Sequence, residues 1–394
     1  MRRTFSSPQR RNLLGACLAH LLHDGYTDQL YALLPVWQAE FGLSYASLAL
    51  VRALYSGTIG GLQVPGDKLI ARLGARTALA LATFIAAAGF LVMSLPWGLA
   101  ALCGGLVLAG IGSSLQHPRA SVLVTNTYGN AAAGPLGIYN FSGDLGKAIF
   151  PALVSLLLTI CAWRSVVGLM AFCGLGVAVA LLFVVPRKPF VAPAHSKSAA
   201  HKSVGRGFGL LLAIGVLDTA TRMGYLLFLP FLLQQRLASH AELGLGLALL
   251  FMGGALGKAA CGWLGQHLGV VWTVIVTEAA TALLIAATLI LSLHTMLVVL
   301  PLLGLFLNGT SSVLYATVPS LAPKGNIGRG FALFYSGVMG AGGLAPIFYG
   351  FIADHSNPAI GILASASTAI LIMPLVLRLK PVVEGEAAAR WIRD

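Results

Sequence analysis

The chain has 394 residues, of which 57% are hydrophobic and only 9% are Asp, Glu, Lys or Arg, yet its formal net charge is +13. Apolar runs of about 20 residues recur along its whole length, the pattern of a polytopic α-helical membrane protein, and this excludes a water-soluble globular fold. Runs as continuous as "LLIAATLILSLHTMLVVLPLLGLFLNG" also exclude a membrane β-barrel, whose spans alternate apolar and polar residues.

Twelve spans are expected, at roughly 12–37, 46–66, 77–95, 98–124, 132–157, 163–185, 208–234, 241–263, 270–292, 296–321, 327–352 and 358–379. They divide into an N-terminal six-helix half (1–186), a linker (187–207), a C-terminal six-helix half (208–380) and a tail (381–394). The opening "MRRTFSSPQRRNLLGACLAHLLHD" has a basic start but no small-residue cleavage site, so it reads as the first span and not as a removable signal. The linker, "VPRKPFVAPAHSKSAAHKSVGRG", is rich in Pro, Ser, Ala and basic residues and has no apolar periodicity. Basic residues before span 1, in the loops after spans 2 and 10, in the linker and in the tail predict a cytoplasmic face holding both termini. That topology accounts for the positive charge and leaves no call for nucleic acid. All five cysteines lie in apolar runs without a C-x-x-C pair, which predicts packing roles.

Span 1 contains "HLLHDGYTDQLY". At about 3.6 residues per turn, His20, Asp24, Asp28 and Tyr31 fall on one stripe, with Asp24 near mid-membrane. A charge at that depth costs about 2.5 to 3.5 kcal/mol on insertion scales, so the stripe is expected to line a hydrated cavity and, with His23, to carry protons. Arg52 opens span 2 near the outer face. In span 4, His117 precedes Pro118. Span 5 carries Tyr139 and the pair Asp144 and Lys147 at i, i+3 near mid-depth. Span 7 carries Asp218 and Arg222 at i, i+4, a spacing that also allows a purely structural ion pair. Glu278 in span 9 is expected on a peripheral helix, in a structural role.

The halves repeat. "YALLPVWQ" in span 1 parallels "YLLFLPFLLQ" in span 7, and "YNFSGDLGKAIFPAL" in span 5 parallels "LFYSGVMGAGGLAPIF" in span 11, both at an offset of 195 residues. "GSSLQHP" in span 4 parallels "TSSVLYA" in span 10 at an offset of 198. Parallel repeats of this kind are a build of secondary transporters, which bind solute where the halves meet. The glycines and prolines of spans 5 and 11 read as hinge and seal of that interface.

With these features the chain resembles the major facilitator superfamily over its full length. "GDKLIARLGAR" after span 2 is similar to that family's loop signature at Leu69, Arg72, Gly74 and Arg76, although the usual acid falls on Ala71. The resemblance implies a conformational latch, here made by Asp67, Arg72 and Arg76. "HLLHD", "GIGSSLQHP" and the Gly/Pro-rich span 5 look like the fosmidomycin-resistance group of exporters within it. What this implies is a monomeric, cofactor-free transporter of a bacterial-type inner membrane, exporting a small solute against protons and catalysing no reaction.

Lys147, Arg222 and Arg52 are the candidates to meet negative charge on the solute, which favours a small anionic or zwitterionic compound. Tyr31, Tyr139, His117, Asp144 and Asp218 complete the candidate binding set. Proton-coupled uptake of an organic anion fits the same residues. A divalent metal or chelate as cargo is a further alternative, with His20, His23, Asp24, Asp28 and His117 as ligands and no C-x-x-C or dense His tract in support. The spacing H-x4-D from His23 to Asp28 occurs in some acyltransferases, but here it is buried in a span.

Overall fold

The computed structural model describes residues 7–70, 72–187, 207–322 and 327–391. Among these residues there is helix and no strand: α1 (Ser7–Asp28), α2 (Leu30–Phe41), α3 (Tyr45–Ile70), α4 (Ala75–Met93), α5 (Gly98–Tyr128), α6 (Ala133–Leu157), α7 (Trp163–Val184), α8 (Phe208–Gln235), α9 (His240–Thr288), α10 (Leu293–Leu321), α11 (Ile327–His355) and α12 (Pro358–Trp391). Helices are what a lipid core permits, because every backbone donor and acceptor must be satisfied within the segment. Most of the expected linker lies outside the described residues.

The first expected span runs through α1 and α2, which meet at Gln29, where the backbone stays in the helical region at φ −62° and ψ −22°. Spans 8 and 9 lie end to end in α9 (49 residues) as two helices joined across a kink at Gly269, between the expected bounds 263 and 270. At 1.5 Å per residue this is about 70 Å, far more than one crossing of a core about 30 Å thick. Gly269 turns the chain there with φ 76° and ψ 167°, a conformation that a side chain would oppose. Helix α12 also runs past the expected end at 379, to Trp391.

By length and composition, eight helices among the described residues can cross a membrane: α4, α5 and α7 to α12. The long helices that fall short are α1, α3 and α6, the ones that carry the polar stripe, Arg52 and the Asp144–Lys147 pair.

The chain divides into two compact units, one of Met1–Gly42 with Val51–Lys197 and one of Leu43–Leu50 with Ser198–Asp394. Each has its own apolar core: Ala16, Leu79, Leu123 and Leu181 meet in the first, and Leu211, Val274, Leu314 and Val376 in the second. Large apolar side chains such as Phe84, Phe172, Phe183, Leu283, Val298 and Leu344 stand exposed on the helix surfaces, as contact with lipid requires. All five cysteines are free thiols, and only Cys261 is fully buried.

Helix ends are fastened by side chains. Ser239 and Glu242 form a reciprocal cap at the start of α9, with Ser239 N–H donating to Glu242 at 2.8 Å. In the second unit, Asp354 of α11 accepts from the first backbone amides of α3, Tyr45 at 2.8 Å and Ala46 at 2.9 Å. At the end of α2, Glu40 pairs with Arg164 at 2.5 Å and accepts from the Trp163 indole. Partial burial pushes the Glu40 carboxyl up, but these hydrogen bonds and the Arg164 charge hold it below the usual carboxylate range.

The glycines of α6 pack against α1 of the same unit. A Cβ on Gly146 would collide with the Leu21 carbonyl, and one on Gly143 with the His20 and Asp24 side chains. Gly146→Ala is therefore expected to destabilise the protein by about 1 to 3 kcal/mol through overpacking. Gly104→Ala, where a Cβ meets nothing within 4 Å, is expected to be neutral or slightly stabilising. Thermal unfolding of the two purified variants checks the contrast, and equal stabilities would contradict it.

Candidate functional site

One turn of α1 separates His20 from Asp24, and the bare backbone of Gly143 lets α6 close on both. From that helix Lys147 reaches across, its Nζ lying 3.3 Å from Asp24 Oδ2 and 3.7 Å from Asp144 Oδ1. His20 Nε2 is also 3.3 Å from Asp24 Oδ2, and His117 Nε2, from α5, is 3.7 Å from Oδ1. Asp24, Asp144 and His20 are buried. Lys147 is the most accessible member, with 29% of its side chain exposed.

Hydrogen-bond accounting fixes the His20 tautomer. Its Nδ1 lies 2.8 Å from the Tyr139 carbonyl, which can only accept, so Nδ1 carries a hydrogen. Nε2 faces the Asp24 carboxyl, and a bond there needs a proton on one side or the other. The His20 ring is held in this orientation by stacking on Tyr139, with centroids 4.0 Å apart and planes 12° from parallel. His20 and Asp24 thus share a proton position, flanked by a lysine.

His23 belongs to a different set. It is fully buried, with Nδ1 2.9 Å from Ser113 Oγ and Nε2 3.2 Å from Thr83 Oγ1. Ser113 also bonds the Tyr55 hydroxyl at 2.8 Å. The "GIGSSLQHP" stretch of α5 therefore does two things: Ser113 ties α5 to His23, and His117, four residues on, faces Asp24. Arg52 is buried, with its guanidinium 4.2 Å from the Tyr31 ring centre, a cation–π contact. Asp28 is buried at the end of α1.

In the second unit Arg222 Nη2 lies 3.9 Å from Asp218 Oδ2 and 3.3 Å from Thr219 Oγ1. Glu278 of α9 is 2% exposed. At the repeat offset of 195, Glu278 answers Thr83 and Asp218 answers His23. Of the expected latch, Arg72 is exposed and Arg76 half-buried, while the Asp67 side chain lies outside the described residues.

Chemically the first-unit cluster can hold a proton, present a cation to an anionic group, or offer a carboxylate to a cationic one. His20, Asp24 and His117 also bring ligand atoms within 4.8 Å of one another, a set compatible with a transition metal if Lys147 withdraws.

Buried charges inside a multi-pass helical protein define a membrane transporter. The family model of the major facilitator superfamily matches residues 16–217 and 210–391. The chain belongs to that superfamily and is a transporter, not an enzyme. It is 24% identical over 366 residues to the Fosmidomycin resistance protein of Escherichia coli (strain K12), covering 88% of this chain and 87% of that one. Its fold is similar to that of a bacterial homolog of the human lysosomal transporter Spinster, with TM-score 0.77, 15% identity and coverage of 97% and 99%. A POT family transporter in complex with 5-aminolevulinic acid also has TM-score 0.77, at 15% identity and coverage of 95% and 96%.

Proposed function

We propose that this transporter exports a small zwitterionic organic solute in exchange for protons, with Asp24 as the group for which solute and proton compete. The observation that carries the reading is the convergence of Lys147 and His20 on one carboxylate oxygen, each at 3.3 Å. A zwitterion satisfies both sides of that arrangement. Its anionic group takes Lys147, and its cationic group takes Asp24 in place of the proton shared with His20. Solute entry then releases a proton and proton entry expels solute, which is exchange.

A solute with negative charge alone couples the other way. Lys147 is available to it only when Asp24 is protonated and no longer holds the lysine, so solute and proton bind together, as proton-driven uptake requires. The Asp24–Lys147 ion pair favours this second reading for a purely anionic cargo. The relative that confers fosmidomycin resistance by name supports export.

The distribution of basic residues supports a cytoplasmic position for both termini, in a bacterial-type inner membrane. Arg72 and Arg76, with Asp67, are read as the latch of the family's loop, and the protein as a monomer.

The test is a thermal-shift screen of small zwitterions, organic anions including fosmidomycin, and Zn2+ or Ni2+, since a bound ligand stabilises by mass action. An organic hit whose shift is lost in Lys147→Gln supports the reading. A shift with metal ions alone, lost in His117→Ala, would replace it with metal transport.

A further inference from the structure

A run of hydrogen bonds through the first unit has a direction fixed by its last acceptor. The Thr27 hydroxyl lies 2.9 Å from the His23 carbonyl, which only accepts, so the single hydrogen of Thr27 is committed there. Tyr55 must then donate to Thr27 across 3.2 Å. With its own hydrogen used, the Tyr55 hydroxyl accepts from Ser113 at 2.8 Å. Ser113 in turn accepts from His23 Nδ1 at 2.9 Å, which puts a hydrogen on that nitrogen. In a neutral ring Nε2 is then bare, and it takes the hydrogen of the Thr83 hydroxyl, 3.2 Å away.

The run starts on α4, crosses α1, α5 and α3, and closes on the backbone of His23 itself. Its members are an imidazole and hydroxyls, with no carboxylate among them. His23, Ser113 and Thr83 are fully buried. A proton added at Nε2 would therefore place a cation out of water with hydroxyls alone bonded to it, which is costly without a paired charge. A proton passed along the hydroxyls would arrive at an amide carbonyl, a group with none to release. The titratable side chains packed on the imidazole are Tyr55 and Tyr26, whose ring centre is 6.4 Å away. Asp24, next on α1, turns to α5 and α6 instead.

What the run does fix is rotation. Consecutive residues of an α-helix point about 100° apart, so tying His23 to Ser113 and Thr83 aims Asp24 at Lys147, 3.3 Å away, and at His117, 3.7 Å away. Ser113 and His117 stand one turn apart on α5, and that helix thus receives both neighbours of α1.

We propose that His23 is a positioning residue outside the proton path, a neutral imidazole with its hydrogen on Nδ1 that holds the rotation of α1 so that Asp24 meets Lys147 and His117. The proposal rests on the reading of Asp24 as the coupling group only for what that rotation serves.

Nitrogen NMR of the histidine-labelled protein in lipid vesicles tests it, with the His23 signals identified by their loss in His23→Asn. In the wild type they are expected to show a hydrogen on Nδ1 and a bare Nε2, unchanged between about pH 5 and about pH 8, where an ordinary histidine titrates. His20, bonded to Asp24, reports on the rotation. His23→Asn keeps an N–H donor toward Ser113 and should leave the pH midpoint of the His20 signal in place. His23→Leu removes the tie and should move that midpoint by about half a pH unit or more, because the charges around Asp24 change their distances. Where the leucine variant fails to fold, Ser113→Ala, which removes the acceptor of the Nδ1 hydrogen, takes its place. A hydrogen on Nε2 in the wild type, a His23 signal that titrates in this range, or a His20 midpoint that responds equally to the two variants would each overturn the proposal. None of these signals depends on transport, so a failure of Asp24 as the coupling group, read from Asp24→Asn in vesicles, is a separate result.

Discussion

Asp24→Asn is expected to abolish solute movement driven by a proton gradient while leaving exchange between equal solute pools at least partly intact. Asparagine keeps the size of the side chain and its hydrogen-bonding capacity toward Lys147 and His20, but it can neither gain nor lose a proton. The rearrangement that carries solute across needs no net proton transfer when solute binds on both sides, so exchange survives. Accumulation against a gradient does need it. His20, His117 and Lys147 all lie within 4 Å of this carboxyl, so Asp24, and not Asp28 one turn on, is the expected site of the effect. Vesicle transport with and without an imposed pH gradient checks it. Full gradient-driven accumulation by the variant would remove Asp24 from the coupling step.

Lys147→Gln is expected to weaken solute binding at least tenfold, from the loss of a charge-assisted hydrogen bond of about 1.5 kcal/mol or more. The alternative is that Asp24 and Asp144 fully occupy the ammonium group, at 3.3 and 3.7 Å, and leave nothing for a solute. The accessibility of Lys147 argues against this, because it is the one charged member of the cluster with more than a quarter of its side chain open. Unchanged affinity together with lowered thermal stability would make the lysine a structural partner of the two acids.

Much of this was legible in the sequence. The apolar runs announced the helices, and the repeat announced a chain in two parts, which divides into two compact units. The stripe of His20 and Asp24 follows from helical spacing alone, as do the local pairs Asp144–Lys147 and Asp218–Arg222. Contacts between helices were not legible, because spacing along one helix says nothing about its rotation against the next. Lys147 was therefore assigned a neighbour on its own helix, and its second carboxylate, Asp24, came only from the packing of α6 on α1 through Gly143. The burial of Glu278, 2% exposed, was not legible for the same reason. His23, one residue before Asp24 and five before Asp28, turns instead to Thr83 and Ser113. The kink at Gly269 falls in the gap expected between the spans 241–263 and 270–292.

The most direct test of the account is the affinity for the screened solute as a function of pH, in the wild type and in Asp24→Asn. Competition between solute and proton at Asp24 predicts that wild-type affinity falls as the pH is lowered, toward tenfold per pH unit once the carboxyl is mostly protonated, and that the variant's affinity is flat over the same range. A wild-type affinity independent of pH, or a variant that keeps the wild-type slope, would contradict it.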